Sequence, residues 1–381
     1  MTILPFAPNR VLRLYRGGSG IDRLCGRTTC EDTSFPENWI ASCIEGNGRL
    51  YHSPGHGISQ IRTENGWRKF PEYLAGHGAE LLGEEHIRKY GLTPAVLVKL
   101  LDAAEELPLQ VHPSRADAKR LLGVNYGKTE AWLILATRQV NGEEPYLLVG
   151  FNENLDRTTF LRETLAGKLE QSRSMLHKVH VAPGDVVLIR GGLPHAIGPG
   201  VTMVEVMEPS DLVLIPEIAC CGVGLNEKQR FMGLDPRQAV EIFDFTPCSE
   251  AELRKHCFPQ PKLLAQTGEG QLRQLISPDD CELFSAAELT LDGVWRLENP
   301  DTFAIGVVTE GRLDFEGTEL SAGENFLLPS SVKRLTITGH GRLMLIRRPA
   351  ADRSRPHPEI TAPSGKKTLP GRTGEPDGSI F

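Results

Sequence analysis

Gln110, His112, Glu130 and His195 carry the donor atoms of a divalent-metal site: an amide oxygen, a carboxylate and two imidazoles. In L-P-L-Q-V-H-P, from Leu107 to Pro113, an extended backbone puts Gln110 and His112 on one face and Val111 on the other. Glu130 heads the apolar run Ala131 to Ala136, which reads as a strand able to bring its carboxylate to the same pocket. In G-D-V-V-L-I-R-G-G-L-P-H-A-I-G a short apolar strand follows Gly184, Gly191 and Gly192 turn the chain, and His195 opens the return strand. One histidine beside a proline is more often a hydrogen-bonded structural residue than a ligand. Two histidines and a carboxylate on separate segments shift the reading, because imidazole and carboxylate suit Zn, Fe, Mn and related divalent ions.

Short strands and turns must position these residues. Residues 1–70 are rich in Gly, Pro and Arg, with alternating patches such as V-L-R-L-Y and W-I-A-S-C-I that fit short strands. Helical spacing follows over Leu81–Tyr90 and Thr93–Glu106, the second with Thr93 as N-cap and Pro94 at the first helical position. Its V-L-V-K-L-L run fits a strand equally well. From Leu107 to Val206 strands alternate with polar turns around one predicted helix, Leu155–Gly167, as in a rolled antiparallel structure. Helical pieces around Pro236–Phe243 and Ser249–His256, the latter opening S-E-A-E, connect to a second β-rich part beyond Pro261. There S-A-G-E-N-F-L-L-P-S parallels A-P-G-D-V-V-L-I-R-G of the first half, a weak internal repeat. The second copy has no histidine in the place of His195, and His340, in T-G-H-G, reads as an exposed turn residue.

The 381 residues favour two domains. A formal net charge of -7 opposes nucleic acid and anionic membranes as partners, and no apolar run approaches the roughly 20 residues that span a bilayer. With no secretory signal at the N-terminus, the expected compartment is the cytoplasm. The eight cysteines form no C-x-x-C pair and are read as reduced thiols. The stretch 350–381, with five prolines, four glycines and few apolar residues, is expected to form a disordered tail. The sequence is silent on oligomeric state.

Several motifs, in order, resemble the type I mannose-6-phosphate isomerases (phosphomannose isomerases) of the cupin superfamily. They are Q-V-H-P at Gln110–Pro113, G-K-T-E-A-W at Gly127–Trp132, P-H-A-I-G at Pro194–Gly198 and E-V-M-E-P-S-D at Glu205–Asp211. F-P-E-N-W-I-A-S and G-H-G-I-S extend the likeness over roughly the first 245 residues. The resemblance implies a mainly β fold of two cupin-like β-barrel (jelly-roll) domains with short helical insertions. These would be a catalytic domain over 1–245, a degenerate C-terminal β-domain over 246–349, and the tail. It also implies Zn2+, or another divalent metal, held by Gln110, His112, Glu130 and His195. The implied reaction interconverts mannose 6-phosphate and fructose 6-phosphate, so the expected partner is a small-molecule sugar phosphate. Lys128, Lys99, eleven residues before Gln110, and Asp211 match pocket residues of the family pattern.

One position departs. Four residues beyond the aspartate the family carries an arginine, where this chain has Ile215, which donates no side-chain hydrogen bond. Positive charge near the substrate must then come from Lys99, Lys128 or Arg190, the last standing where the pattern has proline. Three function classes follow: a metal-dependent isomerase, a sugar-binding regulatory protein descended from one and marked by Ile215, and a non-haem iron oxygenase built on a two-histidine, one-carboxylate triad. Gln110 argues against the third.

Overall fold

Side-chain alternation in the strand Glu130–Thr137 separates two hydrophobic cores of the molecule: Ala131 and Leu133 turn to one, Trp132 and Ile134 to the other. The computed structural model describes residues 2–46, 53–299 and 302–348. The strand pairings in them are antiparallel, and the fold is mainly β, as expected.

A six-stranded sheet runs in the order Val186–Ile189, Glu130–Thr137, Val201–Met207, Leu97–Asp102, Glu37–Ile40 and Arg10–Val11. Its inner face supplies Trp132, Leu101, Met203 and Val187, which pack with Leu147, Val149 and Ile197 of a three-stranded sheet. Those three strands are His195–Ile197, Tyr146–Phe151 and Leu176–His180. The outer face, through Val98, Leu100, Leu133 and Val204, packs on Ile305, Val307 and Met344 of an eight-stranded sheet formed by the C-terminal part. There Ser285–Glu298 and Arg334–Arg347 pair along their full 14-residue lengths. The chain's beginning joins the same sheet, since Leu4–Pro5 pairs with Asn325–Leu328. A two-residue strand leaves no alternating pattern, so the sequence gives no warning of this crossing.

The internal repeat has a physical counterpart. Strands Val186–Ile189 and Asn325–Leu328 each follow a turn with a left-handed glycine, Gly184 at φ +96° and Gly323 at φ +87°. In both turns the acid after the glycine bonds back three residues: Asp185 Oδ2 accepts from Ala182 N at 2.8 Å, and Glu324 Oε2 from Ser321 N at 2.8 Å. These acids fasten the turn rather than face a ligand.

Helices appear where caps mark them. Arg157–Ala166 is capped by Asp156, which accepts from Thr158 N and Thr159 N, and closes on Gly167 in the left-handed region. Glu250–Cys257 opens on a capping box of Ser249 and Glu252. Three expectations meet a different structure. Of the two readings open for Thr93–Glu106, the strand holds over Leu97–Asp102 and the helix does not; all six residues are buried, and a surface helix would need a polar face. The helix expected over Leu81–Tyr90 is instead two, Phe70–Leu82 and Glu84–Tyr90, separated by Gly83 at φ +91°. His340 lies inside the Arg334–Arg347 strand rather than in a turn, with an exposed side chain. The expected 350–381 tail falls outside the described residues. Among the described residues no helix is long and apolar enough to cross a membrane.

Candidate metal centre

Glu130 stands between two histidines. Its Oε2 is 3.3 Å from His112 Nε2 and its Oε1 is 3.3 Å from His195 Nε2, with all three side chains at most 1% exposed. One ligand atom from each lies within 4.8 Å of the others. Three elements bring them there. Glu130 begins its strand with its side chain on the inner face, beside Trp132. His195 begins the strand that follows the Gly191–Gly192 turn. Gln110 and Val111 form isolated bridges to His195 and Leu214 rather than a full strand, with Gln110 N and His195 N each donating to the other's carbonyl at 2.9 Å.

The tautomers follow from the neighbours. His112 Nδ1 lies 2.8 Å from Leu212 O, and His195 Nδ1 lies 2.8 Å from Leu193 O. A carbonyl only accepts, so both Nδ1 atoms carry the proton and both Nε2 atoms turn a lone pair to the carboxylate. Burial, then the Lys128 charge, push the His112 imidazole down to about 3, so it is neutral near pH 7. Burial alone would raise the Glu130 carboxyl, but Lys128 and the His112 partner outweigh it and hold it well below the usual range. Lone pairs facing a carboxylate repel unless a cation joins them. Lys128 supplies part of that charge: its Nζ is 2.8 Å from His112 Nε2 and bonds Glu130 Oε2. His195 Nε2 is buried without a hydrogen-bond partner. A buried donor set of two imidazoles and a carboxylate, with His195 Nε2 turned inward, fits a divalent ion.

Beside the two histidines and the carboxylate is a pocket lined by Arg13, Glu37, Lys99, Gln110, Lys128, Glu205, Asp211 and Ile215, among others. Strand register explains much of it. Lys99 pairs with Glu205 on one neighbouring strand and Trp39 on the other, so all three share the inner face with Glu37. Lys99 Nζ is 2.7 Å from Glu205 Oε2 and 3.4 Å from Glu37 Oε2. Burial opposes the Lys99 charge, yet Glu205 and Glu37 prevail and raise its pKa. Glu205 moves up, because burial dominates the Lys99 attraction.

No family model matches the chain. Two Bacillus subtilis (strain 168) proteins do: the probable mannose-6-phosphate isomerase GmuF and the mannose-6-phosphate isomerase ManA. They are 24% identical to it over 338 and 341 residues, and each alignment covers 85% of this chain and 95% of the relative. The crystal structure of the mannose 6-phosphate isomerase from Bacillus subtilis superposes with a TM-score of 0.70 at 20% identity, covering 91% of this chain and 100% of that one. Over most of its length the chain is thus similar, in sequence and in fold, to proteins named mannose-6-phosphate isomerase. The segments that resemble mannose-6-phosphate isomerases in sequence are those that meet here: Gln110–Pro113, Gly127–Trp132, Pro194–Gly198 and Glu205–Asp211.

Of the residues singled out in sequence, His112, Glu130 and His195 cluster, and Gln110, Lys128, Lys99, Asp211 and Ile215 line the adjoining pocket. Arg190 is not brought in. Val187 and Ile189 face the inner core, so the next residue turns outward, where Arg190 is exposed and its Nη2 donates to Asp280 O at 2.8 Å. Sequence reasoning missed Arg13, Glu37 and Glu205 as pocket groups. A charged residue inside an alternating apolar patch, as in V-L-R-L-Y and F-P-E-N-W, was the available signal.

The turn before His195 also presses on His112. Gly192 N donates to His112 O at 2.8 Å, and a Cβ on Gly191 would sit 2.5 Å from Ser114 Cα and 2.6 Å from Ser114 N. Gly191→Ala must therefore shift the backbone that holds His112. Its expected effect is a loss of metal affinity of about tenfold or more, the scale seen when groups that orient ligands are disturbed. Competition with a chromogenic chelator would measure it, and an unchanged dissociation constant would contradict this account.

Proposed function

We propose that the chain is a metal-dependent aldose-ketose isomerase acting on mannose 6-phosphate and fructose 6-phosphate, with catalysis in a domain spanning 1–245. The observation that carries the reading is the pair of imidazoles whose protonated Nδ1 atoms are tied to backbone carbonyls, leaving both Nε2 lone pairs on Glu130. His112, Glu130 and His195, with Gln110 alongside, would hold the ion. When bound, a divalent ion of this kind supplies Lewis-acid stabilisation of negative charge on substrate oxygen. Zinc is the proposed ion, on the basis of the nitrogen and oxygen donors.

The other residues divide the work. Isomerisation moves a proton between adjacent carbons, so a group able to take and return one must face the substrate. Glu205, raised in pKa by burial and in ion contact with Lys99, is suited to that exchange. Lys128 both touches the metal ligands and lines the pocket, so its Nζ is suited to hold a substrate oxygen. Leu101, Leu107, Ile197 and Val213 line the pocket and keep much of its wall dry.

The test is a coupled assay on protein loaded with zinc, run with mannose 6-phosphate and monitored for fructose 6-phosphate. Turnover that disappears on chelation and returns with zinc is the expected outcome. Binding of the sugar phosphate without turnover, by a folded, metal-loaded protein, would reject the isomerase reading in favour of a regulatory sugar-binding protein.

A further inference from the structure

We infer that Arg13, contributed by the N-terminal segment, is the guanidinium of this pocket: a substrate-contacting residue that grips an oxygen of the sugar rather than its phosphate. The inference rests on the isomerase reading of the site.

Arg13 is the arginine among the pocket's lining residues. Its Nη1 and Nη2 donate to the two carboxylate oxygens of Asp211 at 3.0 and 3.1 Å, and its Nε lies 3.0 Å from Glu37 Oε1. Trp39 lies beside the guanidinium carbon, 5.9 Å from its ring centroid. A guanidinium has five N–H donors in a fixed plane. Two are hydrogen-bonded to Asp211 and Nε is in ion contact with Glu37, which leaves one N–H on each Nη without a partner among the described residues. The side chain keeps 18% of its surface exposed, although Glu37 and Asp211 are nearly covered. Such a group is pre-organised on one edge and uncommitted on the other, the arrangement that makes arginine a directional donor to substrate oxygen.

Charge decides which oxygen. Arg13 and Lys99 face Glu37, Glu205 and Asp211, so this wall of the pocket holds two cations against three acids. A phosphate dianion is not favoured there, whereas a neutral hydroxyl, or a carbonyl oxygen that gains only part of a charge, meets the two N–H donors at a much smaller electrostatic cost. Ile215 lines the same pocket and packs with Leu14, next to Arg13, so the position without a side-chain donor and the residue that provides one are close together.

Arg13→Lys keeps the cation but removes the fork. The zinc-loaded variant is expected to keep its metal and melt within a few degrees of the wild type, while kcat falls about ten- to a hundredfold and KM moves less than threefold, the pattern of a contact made in the transition state. Adding Ile215→Arg to Arg13→Lys should recover part of kcat, which a purely structural role for Arg13 would not allow. If Arg13→Lys is too unstable, Arg13→Gln combined with Asp211→Asn removes both buried charges and should show the same kcat loss. Wild-type turnover with kcat within twofold in these variants overturns the role of Arg13 and leaves the isomerase reading intact. A rise in KM alone, tenfold or more, assigns Arg13 to ground-state binding of the phosphate and overturns the inference. Should the wild type not turn over at all, the isomerase reading fails, and calorimetry with fructose 6-phosphate decides Arg13: tenfold weaker binding in Arg13→Lys upholds it as a ligand contact, and equal or absent binding rejects it.

Discussion

His195→Ala is expected to leave a folded protein that no longer holds a metal, with occupancy falling from one ion per chain to less than a tenth by elemental analysis. His195 is fully buried, and its Nε2 is the inward lone pair that no protein donor satisfies. Removing it leaves Glu130 and His112, which Lys128 can already neutralise through its own contacts to both. The ammonium then competes with the ion on nearly equal terms. Activity should drop by at least about a hundred- to a thousandfold, the scale for losing one element of electrostatic stabilisation. Stability offers a readout free of activity. A ligand at 1,000 times its dissociation constant stabilises the folded state by about 4 kcal/mol, so zinc should raise the melting temperature of the wild type and leave that of His195→Ala where it was. Equal zinc-dependent shifts in the two proteins would place the ion elsewhere.

How far the sequence discloses such a site depends on whether each residue's role is local. Glu130 and His195 are readable because each opens a short apolar strand after a turn, so their neighbours announce both position and facing. The acids of the two repeat turns, Asp185 and Glu324, are likewise fixed by bonds three residues away. Gln110 and His112 are less regular than the expected strand, since only two bridges anchor that segment. What the sequence hides is set by distant partners. Arg13 acquires its place from Asp211, 198 residues later, and nothing near Arg13 predicts that pairing. Arg190 looked equivalent by proximity to His195, but the alternation of its strand turns it away. The Leu97–Asp102 strand was ambiguous because burial on both faces erases the period that distinguishes strand from helix. Lys99 within that run was the clue, since a lysine at 2% exposure requires the paired acids that only the sheet provides.

Asp102, on the opposite face of the strand from Lys99, gives the largest expected stability effect. Its carboxylate is fully buried and accepts from Gly18 N at 2.7 Å, Gly20 N at 3.0 Å and Thr202 Oγ1 at 2.6 Å, and it is paired with Arg138 through both oxygens. One side chain thus fastens the start of the helix Ser19–Leu24 to two strands' worth of the six-stranded sheet. The close approach is built in, because a Cβ on Gly17 would lie 1.9 Å from Asp102 O and one on Gly20 2.3 Å from Asp102 Oδ1. Asp102→Ala leaves Arg138 with Asp32 alone and strands two buried backbone donors, so the expected cost is about 3–5 kcal/mol, read as a fall in melting temperature on the order of 10 °C. Metal occupancy below the transition should be unchanged, which separates this variant from His195→Ala. The pH dependence has a definite sign. Burial tends to raise the Asp102 carboxyl, but its bond to and charge attraction by Arg138 outweigh that and depress it. Stability from a depressed carboxylate is fully present above the unfolded value of about 3.9 and is lost as pH falls from there toward the folded value. The stability gap between wild type and Asp102→Ala should therefore be constant from pH 7 to about pH 5 and narrow only in more acidic solution. A gap below about 1 kcal/mol at neutral pH, or one that narrows as pH rises, would show that this carboxylate does not tie the two elements together.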